Sequence, residues 1–93
     1  MSVTARLKVL ESGDMLSRIR EIIASHGELP VDIGAVGEDD DLYKIGLTSF
    51  ATVQIMLGLE EAFNVELPEQ LLNRSTFSTL RHIQAALEQV VPA

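Results

Sequence analysis

The sequence predicts an all-α fold: a small bundle of three main helices and one short helix, with a long loop between the first two main helices. Apolar residues recur at spacings of three and four in three separate stretches, the period of a helix with one buried face. No stretch shows the strict alternation of a half-buried strand. Prolines and most glycines fall between the periodic stretches and punctuate them. A chain of 93 residues makes one domain around one core. That core is mainly aliphatic, because Tyr43, Phe50, Phe63 and Phe77 are the only aromatic residues. The absence of cysteine excludes a disulfide framework and a thiolate metal site.

Residues 1–13 are weakly patterned, and Gly13 separates them from the first periodic stretch. They are expected to form a loosely ordered extension to a domain spanning 14–91. Asp14 is placed to cap a first helix over 15–26, where Leu16, Ile19, Ile22 and Ile23 form one apolar stripe. Gly27 ends it. Pro30, Gly34 and Gly37 then punctuate a connection that runs to Thr48. Loops of this length are usually functional or pinned by their own side chains. Leu29, Ile33, Val36, Leu42, Ile45 and Leu47 are available as pins. A second main helix is expected over 49–63, with Ile55, Met56, Leu59 and Phe63 inward and Asn64 as its stop. Phe50, Val53 and Leu57 form a second apolar stripe that a small bundle need not bury completely. Pro68 is suited to open the short helix over 69–72. Ser75 or Thr76 then caps a last helix that turns Phe77, Leu80, Ile83, Leu87 and Val90 inward, and Pro92 stops it.

The formal charge is −7, and it is concentrated. Across 28–69 there are ten acids against one base, Lys44. Such a field disfavours nucleic acid and anionic membranes and steers the chain toward basic patches on partner proteins. No apolar run approaches the roughly 20 residues that span a bilayer, and no secretory leader is recognisable at Met1, so a soluble, cytoplasmic, monomeric protein is expected.

Little in the chain suits catalysis. A serine nucleophile needs a base within hydrogen-bonding reach and a group that orients the base. The two histidines, His26 and His82, have no acid placed to complete a triad, and the segment around Ser49 is not a Gly-x-Ser-x-Gly elbow. Asp39, Asp40 and Asp41 do not make an EF-hand: counted from Asp39, the sixth residue is Lys44 where glycine is needed, and the twelfth is Phe50 where glutamate is needed. No enzyme is expected. Ser49 remains the candidate. It is a hydroxyl in the first turn of a helix, flanked by acids and with no base beside it, which suits covalent attachment better than attack.

Asp41-Leu42, Gly46-Leu47, Ser49, Leu59-Glu60-Glu61-Ala62-Phe63 and Val65-Glu66-Leu67-Pro68 together, in this order and spacing, resemble the acyl carrier protein family over nearly the whole chain. The resemblance implies a four-helix carrier bundle whose serine, here Ser49, bears 4'-phosphopantetheine from coenzyme A. It also implies that the positions of Phe50, Val53, Leu57, Glu60 and Glu61 dock onto partner enzymes, apolar contacts being ringed by carboxylates. The implied partners are a phosphopantetheinyl transferase, a loading ligase and acyl-transfer enzymes with basic patches.

The chain departs from the family at the serine. Where the usual pattern is Asp-Ser-Leu it reads Thr48-Ser49-Phe50. The family's aspartate helps the transferase place its metal and donor, so the departure implies a specialised carrier. The first expectation is an acyl carrier of fatty-acid or specialised lipid or secondary metabolism. An aminoacyl carrier loaded by a stand-alone ligase is the alternative, and an unmodified helical interaction module is the alternative of another class. Whatever its cargo, Ser49→Ala is expected to keep the fold and to cost at most about 1–2 kcal/mol through a lost helix cap.

Overall fold

The computed structural model describes residues 12–91, and among these it contains helices, turns and loops but no strand. Helix α1 spans Ser12–His26. It starts earlier than the periodicity suggested, so Gly13 and Asp14 lie within its first turn and Asp14 does not precede the helix as a cap. Residues 1–11 of the proposed extension lie outside the described residues. Met15, Ile19, Ile22 and Ile23 are buried, and Leu16 packs at the edge of the same core. Gly27 ends α1 as expected. A Cβ there would come within 2.7 Å of the Ile23 carbonyl oxygen.

The connection after Gly27 is neither bare nor held by apolar pins alone. It contains a 3-10 turn over Ile33–Ala35 and a short helix, α2, over Leu42–Ile45. Val36, Leu42 and Leu47 are buried, while Leu29, Ile33 and Ile45 pack against the core. From α1, Arg20 Nη1 donates to the carbonyls of Ile33 and Val36, both at 2.7 Å. Two backbone bonds tie the other side of the loop to the last helix and the turn before it: Leu42 N–H to Ser78 O at 2.8 Å, and Arg81 N–H to Glu38 O at 3.0 Å.

Helix α3, Ser49–Phe63, has the predicted bounds. Ala51, Ile55 and Leu59, four residues apart, form its buried ridge, and Asn64 stops it in the left-handed conformation (φ 53°, ψ 50°). The segment after it turns on Glu60, whose Oε2 accepts from Leu67 N–H at 2.8 Å. The short helix after Pro68 is a single 3-10 turn over Glu69–Leu71.

Helix α4 spans Leu80–Val90 and is capped by Thr79, not by Ser75 or Thr76. The reason is Asn73, whose Oδ1 accepts from Thr76 N–H at 2.9 Å and from Thr76 Oγ1 at 3.1 Å. That side chain closes a separate turn over 74–77, which buries Phe77 before the helix begins. Leu80, Ile83 and Leu87 point inward as predicted, and Val90 packs at the core's edge. Helix α1 packs against both α3 and α4. No helix among the described residues is long and apolar enough to cross a membrane.

Candidate functional site

The chain approaches Ser49 through a fixed turn. Gly46 has φ 136°, a conformation that favours glycine, and its N–H bonds to Leu42 O at 3.1 Å. Leu47 is buried next and sets the direction of entry. Thr48 is extended (φ −95°, ψ 163°), and its Oγ1 accepts from Ala51 N–H at 3.0 Å. Its carbonyl accepts from Thr52 N–H at 2.9 Å and from Thr52 Oγ1 at 2.8 Å. Thr48 is therefore the N-cap, and Ser49 is the first residue inside the helix, exposed and free of capping duty. This corrects the expected loss of a cap in Ser49→Ala. A threonine cap supplies the hydrogen bond an aspartate would, without the charge.

Ser49 lines a surface cleft of about 270 Å³ with Thr52, Val53 and Met56 of α3, Tyr43 of α2, and Leu72, Asn73, Arg74 and Phe77 from the segment before α4. The Arg74 guanidinium carbon lies 3.9 Å from the centroid of the Tyr43 ring, stacked as a cation on an aromatic face. Among the described residues no carboxylate pairs with Arg74. Counting charges around the serine along the chain missed this cation, which folding brings in from outside the acidic stretch.

The acidic triplet is divided among internal duties. Asp39 receives Arg81 Nε at 2.6 Å and Nη2 at 3.1 Å. This hydrogen-bonded pairing holds the Asp39 carboxyl below its usual range and raises Arg81. Asp40 Oδ2 accepts from Gly37 N–H at 2.7 Å, and Asp41 Oδ1 accepts from Tyr43 N–H at 3.0 Å as the cap of α2. Among the described residues no group of three or more His, Asp or Glu is placed to hold a metal ion. The histidines lie apart from the cleft. His82 Nδ1 sits 2.9 Å from Ser78 Oγ, and His26 packs over Gly58, where a Cβ would come within 2.9 Å of its ring.

The sequence-predicted docking residues share one side of α3. Phe50 is 68% exposed, Val53 48% and Leu57 50%, so the three form an exposed apolar stripe along the helix. Glu61 is exposed next to them, whereas Glu60 is half-buried with one carboxylate oxygen committed to Leu67 N–H.

Residues 17–87 match the family described as phosphopantetheine attachment site, and the chain belongs to that family of carrier proteins. Its cofactor is accordingly 4'-phosphopantetheine. The chain is 44% identical over 77 residues to a protein of Agrobacterium fabrum named aminoacyl carrier protein, covering 83% of this chain and 93% of that one. It is 37% identical over 54 residues to a D-alanyl carrier protein of Leuconostoc mesenteroides, covering 57% and 69%. Among solved structures it resembles a carrier protein from Agrobacterium tumefaciens crystallised with an engineered Bradyrhizobium japonicum glycine:[carrier protein] ligase and ATP. That likeness has a TM-score of 0.79 at 45% identity, over 81% of this chain and 97% of the other.

The residues around Ser49 fit the group. A phosphodiester is an anion that needs N–H donors and no opposing carboxylate. Ala51 N–H is taken by Thr48, but the first-turn N–H groups of Ser49 and Phe50 have no acceptor within the helix. When bound, phosphopantetheine supplies a terminal thiol on a flexible arm, on which an acyl group is held as a thioester. The structure offers an exposed hydroxyl at the helix start, N–H donors beside it without helical acceptors, and an exposed apolar stripe along the same helix.

Proposed function

We propose that the chain is a cytoplasmic aminoacyl carrier protein, with Ser49 Oγ as the attachment atom and an amino acid as the cargo. The observation that carries this reading is the 44% identity over nearly the full length of a protein named as an aminoacyl carrier. The structural likeness to a carrier crystallised with a glycine ligase supports a stand-alone ligase as the loading partner. A fatty-acid role, the first expectation from the sequence, draws no comparable support.

In attachment, Ser49 Oγ forms the new bond to the pyrophosphate phosphorus of coenzyme A that bears the pantetheine arm. The bond to the departing adenosine bisphosphate breaks, and the serine proton passes to the transferase. Phe50, Val53 and Leu57 provide the apolar contact with transferase and ligase, and Glu61 provides the charge that meets a basic patch.

The test is intact mass after incubation with coenzyme A and a broad-specificity transferase, followed by ATP, single amino acids and a stand-alone glycine:[carrier protein] ligase. One phosphopantetheine followed by one aminoacyl group, both absent in Ser49→Ala, supports the reading. Modification without aminoacylation, but with loading by a fatty acyl ligase, would return the cargo to fatty acids. No modification of folded protein by several transferases would leave an unmodified interaction module.

A further inference from the structure

We propose that Arg74, shelved on the ring of Tyr43, is the counter-cation of the phosphodiester at Ser49 and holds the start of the prosthetic arm in the cleft beside α3. The proposal rests on the reading of Ser49 as the attachment residue and adds a positioning role for a residue 25 positions away in the chain.

Four observations support it. Ser49 and Arg74 line the same cleft. Arg74 has no carboxylate partner among the described residues, in a chain where acids outnumber bases by 14 to 7. The other well-placed arginines are committed, Arg20 to two carbonyls and Arg81 to Asp39. Finally, the cation is kept in place: its guanidinium carbon lies over the Tyr43 ring, and Tyr43 is carried by α2, whose first N–H is bonded to Ser78 O. A stacked guanidinium is preorganised and gives up less side-chain freedom when an anion arrives.

The lining suits the arm as well as its charge. Val53, Met56, Leu72 and Phe77 offer apolar surface for the dimethyl-bearing segment next to the phosphate, and the Thr52 and Tyr43 hydroxyls offer polar atoms for its amides. Thr52 Oγ1 already donates to Thr48 O, so it meets the arm as an acceptor. In this proposal the first-turn N–H groups and the Arg74 guanidinium both serve the phosphodiester, the first through the helix backbone and the second through a side chain.

Protein modified with phosphopantetheine, verified by intact mass, should be compared with modified Arg74→Gln, Arg74→Lys and Tyr43→Leu. Mass addition tests Ser49 itself, so failure there is distinct from failure of the arginine's role. The 31P resonance should shift in Arg74→Gln, and nuclear Overhauser contacts from the arm's methyl groups to Val53, Met56 or Phe77 should be lost. Arg74→Lys should keep part of the contacts and Tyr43→Leu should weaken them. High salt should move the unsubstituted protein toward Arg74→Gln. Without any substitution, the Arg74 Nε–H resonance should move when the apo protein is modified. An Arg74 resonance that stays still on modification, or arm contacts unchanged in Arg74→Gln, would overturn the proposal.

Discussion

Thr48 Oγ1 accepts the Ala51 N–H at 3.0 Å, which makes the residue before the candidate attachment serine the cap of its helix. Structural duty and chemical duty are divided between two adjacent hydroxyls. Thr48→Ala should destabilise the fold by about 1 kcal/mol, whereas Ser49→Ala should change stability by less than about 0.5 kcal/mol while abolishing modification. Thr48→Asp should keep the cap and speed modification by a housekeeping transferase. Denaturant unfolding and intact-mass time courses check both; a Ser49→Ala loss as large as that of Thr48→Ala would contradict the division.

Arg20 should matter more than its position on α1 suggests. Truncation to alanine removes an ionic donor from two loop carbonyls and should cost about 2 kcal/mol. Hydrogen exchange around 33–36 should accelerate beyond the global change. Arg20→Lys should recover part of the loss, since one ammonium replaces a planar fork.

The Asp39–Arg81 pair gives a pH signature. Because pairing depresses the folded-state pKa of Asp39, its stabilisation is present at neutral pH, above the unfolded-state value of 3.8. It is lost as pH falls through the lower folded-state value. Arg81→Ala should therefore melt below the parent at pH 7 and converge with it in strong acid. The pair is exposed, so the shift should be small. A constant gap across that range would assign it to packing instead.

On α3, Leu57→Ala and Glu61→Lys should each lower ligase kcat/KM by about five- to tenfold without changing the melting temperature. For Glu61→Lys the salt dependence of loading should also flatten. Glu60→Lys is a poorer probe, because it breaks the Leu67 N–H bond as well.

Much of this was readable along the chain where one residue type had one available role. The bounds of α3 came from its apolar period, and Asn64 from its tolerance of a left-handed turn. The start of α4 was harder, because Ser75, Thr76, Ser78 and Thr79 all offer a hydroxyl and only the bond from Thr76 N–H to Asn73 decides among them. The short turns inside the long loop have too few residues to show a period. Arg74 was invisible for a different reason: Tyr43, which it contacts, and Ser49, which lines the same cleft, are far away in sequence, and nothing local marks a cation that folding will bring to that cleft. The same holds for Arg20 over the Ile33 and Val36 carbonyls.

Helix α3 also acts as a ruler. Ser49 stands at one end and Glu61 lies twelve residues further on, a span of about 18 Å along a straight axis. The acids of the loop are largely turned to internal bonds, so in the proposed docking the far end of α3 is the firmer foothold for a basic partner. An enzyme that gripped Glu61 would need its active-site entrance about that distance away, over Ser49. Partners whose basic patch and entrance are spaced differently would be rejected by length alone, before any recognition of the cargo.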